Sequence, residues 1–170
     1  PADVAQVVTH TQFSPSGARF AFMHRYFLND GAIYSRLLVA NADGSNLRLL
    51  AEEKVTHYDW RDDETILAWS RFMSSGLAAA RRSGLLGSPI LRPAINIARK
   101  LRHRLPSGVG SVGNEHYFLI PVDAPAERRV IGADVLPVDG HPMFHVEDPD
   151  LLVTDTYPDT DGMQNLMLFE

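Results

Sequence analysis

Short apolar runs, of strand rather than helix length, alternate with polar turns along this chain. Three of the runs are Phe20-Ala21-Phe22, Leu67-Ala68-Trp69 and Leu151-Leu152-Val153. Each follows a polar turn: Ser14-Pro15-Ser16-Gly17, Arg61-Asp62-Asp63-Glu64 and Glu147-Asp148-Pro149-Asp150. Each turn in turn follows a His-x-x-aromatic motif: His10 to Phe13, His57 to Trp60 and His141 to Phe144. From the aromatic to the end of the apolar strand the three copies align without a gap. Three gapless copies predict an internal structural repeat.

The rest of each unit predicts further strands. In the first, Ser35–Ala40 and Leu47–Leu50 flank Asp43-Gly44, a dipeptide favoured in two-residue hairpins. In the second, Tyr117–Ile120 and Arg129–Ile131 take those places, and in the third Leu166–Phe169 is the third strand. Four short strands repeated at this spacing predict an all-β fold built as a β-propeller. The expected units are a blade over 8–50, a blade over 55–133 and a truncated blade over 139–170. The second apolar strand of each unit lacks alternation, as expected where it is buried on both faces between neighbouring blades. His10 and His57 stand 47 residues apart, but His57 and His141 stand 84 apart. The excess is assigned to an insertion over 73–112. A ring needs four or more blades, so a propeller fragment is expected, completed by further blades of a larger protein.

Composition sharpens this picture at one place. The formal net charge is −5, yet Ile66 to Asn114 contains no Asp or Glu and eight of the 16 basic residues. The other eight face all 21 acidic residues. The insertion is thus a cationic block in an acidic protein. Pro93, followed by Ala94, Ile97, Ala98 and Leu101 at helical spacing, predicts a basic helix. Arg99, Lys100 and Arg102 lie off its apolar stripe. A lid that attracts an anionic ligand, a solvated helix packed on the acidic body, a membrane-surface segment and a partner-docking element all fit that pattern. With no Cys, thiolate metal sites are excluded. No run of 18 apolar residues predicts a transmembrane helix, and membrane association is not the expectation. Basic residues without interleaved aromatics do not favour nucleic acid. Gly108-x-Gly110-x-x-Gly113 follows no strand and opens no helix, and no Gly-x-Ser-x-Gly elbow occurs.

The topology of a blade gathers the chemistry. The first strand starts, and the second ends, at the same face of the disc. His10, His57 and His141 lie in first strands. His24, Arg71 and Asp155, each eleven residues after the aromatic, end the second strands. Three imidazoles at one mouth suit a transition metal, with Asp139 or Asp155 completing the shell. The alternative is that each His hydrogen-bonds to the next blade.

Phe13-Ser14-Pro15-Ser16-Gly17 and Asn41-Ala42-Asp43-Gly44-Ser45 resemble the repeat of TolB-type, WD40-like bacterial propellers. With Phe22-Met23-His24, Arg36-Leu37-Leu38 and Thr56-His57 before Trp60, the stretch His10–Trp60 is most similar to oligogalacturonate lyases. That family consists of seven-bladed propellers that cleave unsaturated sugars from short pectin fragments. The resemblance implies metal-assisted β-elimination on an anionic, uronate-containing oligosaccharide. It implies a divalent metal, usually manganese, on His57 and His141. Asp139 stands in for the family's glutamine, and Arg71 is placed by position as the base. His24, Asp155, Arg99, Lys100 and Arg102 are the expected substrate-binding residues. Two other readings stay open: a non-catalytic propeller that binds a protein or glycan, and the propeller half of a larger serine peptidase.

Overall fold

The computed structural model describes residues 5–27, 33–52, 54–71 and 115–170. The expected insertion 73–112, with Arg99, Lys100 and Arg102, lies outside the described residues. Within them the protein is all-β and is made of three antiparallel sheets.

Sheet 1 is the meander β1 (Gln6–Phe13), β2 (Arg19–Phe27), β3 (Ile33–Asn41) and β4 (Arg48–Ala51). Sheet 2 repeats it with β5 (Lys54–Trp60), β6 (Thr65–Arg71), β7 (Glu115–Pro121) and β8 (Arg129–Ile131). Sheet 3 holds β9 (Met143–Phe144), β10 (Leu152–Asp155) and β11 (Leu166–Phe169). One departure is the turn after β3. Asp43-Gly44 is not a two-residue hairpin there. Asn41 N–H donates to the Ser45 carbonyl and Asn46 adopts φ 57°, so the loop widens to residues 42–47 before β4 pairs.

The sheets stack face to face, which explains the unbroken apolar runs of sheet 2. Ile66 and Ala68 of β6, with Phe118 and Ile120 of β7, pack on Ala21, Met23 and Leu37 of sheet 1. The alternate residues Leu67, Trp69, Tyr117 and Leu119 pack on Phe144 and Leu152 of sheet 3. A strand with cores on both faces has no polar alternation to show. Tyr117 is fully buried, its hydroxyl 3.2 Å from Thr154 Oγ1, and burial pushes its pKa up to about 12. The outer faces of sheets 1 and 3 stay open: Phe13 is 61% exposed and Leu166 79%.

First strands of successive sheets are tied by side chains. The Trp60 indole donates to the Gln12 carbonyl, and the Tyr58 hydroxyl donates to the Ala21 carbonyl at 2.9 Å. Asp59, 8% exposed, spans all three sheets. It accepts from Gln12 Nε2 at 2.6 Å and from the Phe144 amide at 2.7 Å. At the opposite rim the turns are linked as well. Ser16 donates to Asp63, and Arg61 reaches Asp150 at 2.5 Å.

Burial raises the pKa of the Asp59 carboxyl above its ordinary value despite these donors. The native state therefore holds this proton more tightly than the unfolded chain does. The contribution of Asp59 to stability falls as pH rises from the ordinary aspartate value through the raised native one. Asp59→Ala leaves the Phe144 amide unpaired and is expected to cost about 1–3 kcal/mol, measured by urea unfolding. In Asp59→Asn this component of the pH dependence should vanish.

Candidate functional site

The gapless repeat does not carry over into a common register. Phe13 pairs with Phe20, seven residues on; Trp60 pairs with Ile66, six on; Phe144 pairs with Leu152, eight on. The turns differ in length, closing between Ser14 and Arg19, Arg61 and Thr65, and His145 and Leu151. A one-residue difference turns a side chain to the other face of its sheet. His24 and Arg71, equivalent by counting from the aromatic, therefore face opposite ways. Counted from the paired residue instead, Arg25, Arg71 and Tyr157 are equivalent, and all three line one pocket.

This register corrects the expected place of His24. It lies on the outward face of sheet 1, with Nε2 2.9 Å from Gln6 Oε1 and Nδ1 accepting from Arg36 at 2.8 Å. Partial burial and the Arg36 charge hold its pKa below 6.5. It does not join the other histidines.

His10, His57 and His141 do come together. The ring centroids of His57 and His141 are 4.5 Å apart, and those of His10 and His57 are 6.4 Å apart. Irregular strands aim them. In β1, His10 and Thr11 fall in a bulge between the Thr9 and Gln12 pairings, with His10 at φ 54°. In β5, Thr56 and His57 fall in the corresponding bulge between Val55 and Tyr58. Bulges of this kind redirect side chains next to functional sites.

Each imidazole is held through Nδ1. His57 meets Asp139 Oδ1 at 3.0 Å, His141 meets Asp155 at 2.9 Å, and His10 meets Thr9 Oγ1 at 3.0 Å. An ionised carboxylate only accepts, so in the neutral rings of His57 and His141 the proton sits on Nδ1. The His57 lone pair at Nε2 then accepts from the Tyr157 hydroxyl at 3.2 Å. Asp155 also accepts the His141 backbone amide at 2.7 Å, and that bond chiefly holds its carboxyl below the usual carboxylate range. Burial, then Asp139 and Asp155, raise the Tyr157 pKa. Burial, then Arg25 and the other two histidines, lower that of His10.

Gly140 makes the His141–Asp155 pair possible. A Cβ at this position would fall 1.8 Å from the Asp155 carbonyl oxygen. Only a residue without a side chain lets the two segments approach this closely.

A pocket of about 530 Å³ opens beside the imidazoles, within the range of small-molecule sites. Its wall includes His57, Asp139 and Tyr157 together with Lys54 and Arg71. Lys54 and Arg71 lie opposite each other in β5 and β6, and both engage Glu115 of β7. The structure places Arg71, the residue expected as base, in an ion pair with Glu115. Arg25 is the pocket cation that counting from the aromatic missed; the alternation of β2 and the turn length are the signals that locate it.

The donor chemistry suits a divalent ion in part. A carboxylate on Nδ1 is the usual second shell of a ligating histidine. Yet among the described residues no group of three His, Asp or Glu side chains is placed to hold a metal ion. Among the described residues no hydrogen bond engages Nε2 of His10 or of His141, whereas His57 Nε2 accepts from Tyr157.

No family model and no curated protein matches this chain. Solved structures similar to it include the AtxE2 isopeptidase in its apo form and a variant of it with Astexin3-dC4 bound. Each is 16% identical, with a TM-score of 0.39, over 93% of this chain and 24% of that one. The chain thus spans about a quarter of that protein's length, and a likeness this low assigns neither fold nor function.

Two outcomes test the site. Gly140→Ala should cost about 1–3 kcal/mol through overpacking, read by urea unfolding, and should shift the His141 imidazole resonances by separating that ring from Asp155. In an NMR titration of the wild type, His10 should gain its proton below pH 6.5, as its neighbours require. A midpoint at or above 6.5 would place its ring away from Arg25 and the other histidines.

Proposed function

We propose that the three sheets are successive blades of a β-propeller, and that the mouth where their first strands meet binds a carboxylate-bearing ligand. Meanders stacked face to face, with side chains of one first strand bonded to the next, support the propeller reading. The single observation that carries the ligand reading is the pocket itself: cationic side chains share its wall with a carboxylate-backed imidazole and a phenol. Cations recognise the ligand's charge. The imidazole and phenol are groups that move protons near neutral pH.

A uronate-containing oligosaccharide is the substrate class we favour, in keeping with the resemblance to oligogalacturonate lyases. In β-elimination the proton beside the carboxylate leaves, and the glycosidic oxygen departs from the next carbon. His57, oriented by Asp139, is the side chain suited to take that proton, and Tyr157, whose hydroxyl keeps its own, is suited to protonate the leaving oxygen. A divalent cation, manganese in that family, would be held by the Nε2 atoms of His10 and His141 and would neutralise the uronate charge.

The hydrogen-bonded state of the imidazoles favours a second reading, a propeller that binds its ligand without reacting with it. The same pocket chemistry suits the terminal carboxylate of a peptide. That includes the case of a propeller portion of a larger serine peptidase, whose nucleophile would lie outside these 170 residues.

Calorimetry of the full chain with manganese, and assays of short unsaturated oligogalacturonates, separate the readings. Manganese uptake that His141→Ala weakens, together with loss of the oligosaccharide that His57→Ala slows, supports the lyase. Uronate binding without turnover selects the non-catalytic propeller. Binding of neither uronate nor peptide carboxylate overturns the ligand site.

A further inference from the structure

Among the described residues three cations line the pocket, and two of them are already committed. Lys54 and Arg71 share Glu115, which is only 16% exposed. Arg25 differs. Among the described residues no carboxylate lies within ion-pair distance of it; its guanidinium donates to the Thr56 carbonyl at 3.0 Å and approaches the Met23 sulfur at 3.2 Å. It nevertheless sits among the site's groups, close enough to act electrostatically on both His10 and Tyr157. Beside it in the pocket wall stands Thr56, whose Oγ1 is buried with no partner among the described residues. A charged fork without an acidic partner lies in the cavity wall, and a buried hydroxyl without a partner among the described residues belongs to the next residue of that wall. Both are costs of folding that an anionic ligand would relieve.

We propose that Arg25 and Thr56 form the subsite that reads the ligand's carboxylate, and that Arg25 is its specificity-determining residue. This rests on the reading of the pocket as a ligand site. The guanidinium supplies paired N–H donors matched to a carboxylate, and Thr56 Oγ1 supplies a third. His57 and Tyr157 are then left to face the atoms next to that carboxylate. Because Arg25 belongs to sheet 1 and Thr56 to sheet 2, one ligand would bridge the two sheets and hold them together. The subsite selects for charge: a neutral sugar of the same shape would leave Arg25 uncompensated.

The test is titration of the full chain with glucuronate and with glucose, followed by calorimetry and thermal unfolding. Glucuronate should bind and raise the unfolding temperature, and glucose should do neither. Arg25→Gln should weaken glucuronate binding by about tenfold or more; Arg25→Lys, which keeps the charge but not the fork, should fall between. Arg48→Gln, at the far rim where Arg48 pairs with Asp123, should bind as the wild type does. On the wild type, glucuronate but not glucose should protect Arg25 from phenylglyoxal, read by mass spectrometry, which needs no variant to fold. Glucuronate binding with undiminished affinity in Arg25→Gln, or unprotected Arg25 in the bound wild type, overturns the assignment while the pocket reading survives. No binding of either sugar by the wild type overturns both.

Discussion

The Asp59 carboxylate is the interaction on which the rest of this structure depends. It stands in the first strand of sheet 2, almost out of water, and takes a side-chain donor from sheet 1 and a backbone donor from sheet 3. A buried carboxylate without both donors would be unfavourable. The three first strands are therefore held at one mutual spacing. That spacing places the His57 and His141 rings 4.5 Å apart. Apolar packing between the sheets supplies most of the burial, but it is non-directional and does not by itself set which residues of the first strands meet.

Polarity in the molecule is graded along the strands. At the rim of the turns, exposed pairs such as Arg61–Asp150 join neighbouring sheets; such pairs contribute little energy singly. Midway lie Asp59, Tyr58 and Trp60, buried and bonded to the preceding sheet. At the far end the bulges take His10 and His57 out of regular pairing, and His57 lines the pocket. The same strands thus serve as mortar along most of their length, and β5 lines the pocket at one end. The bulges mark the change of task.

Charge is apportioned with similar economy. Glu115 compensates Lys54 and Arg71, Asp139 orients His57, and Asp155 orients His141. Among the described residues of the pocket wall, the cation without a carboxylate at ion-pair distance is Arg25, which acts on two titratable rings.

The sequence alone determined the strands, the repeat and the order of the sheets. Apolar runs of strand length bounded by Gly, Pro, Ser and Asp are local signals, and a doubly buried strand such as Leu67-Ala68-Trp69 announces itself by lacking alternation. It also determined that histidines of successive units approach one another, because repeated units place equivalent positions side by side. Only the tertiary structure decided what those histidines touch. The aromatic pairs six, seven or eight residues on, according to how each turn closes, and every such step reverses the facing of the strand beyond it. That is why His24 points outward, why Arg25 faces the pocket, and why Arg71 meets Glu115 of β7. A hydrogen bond between residues 47 or 85 positions apart, such as those of Asp59, leaves no local trace in composition or periodicity; it exists only once the sheets have stacked.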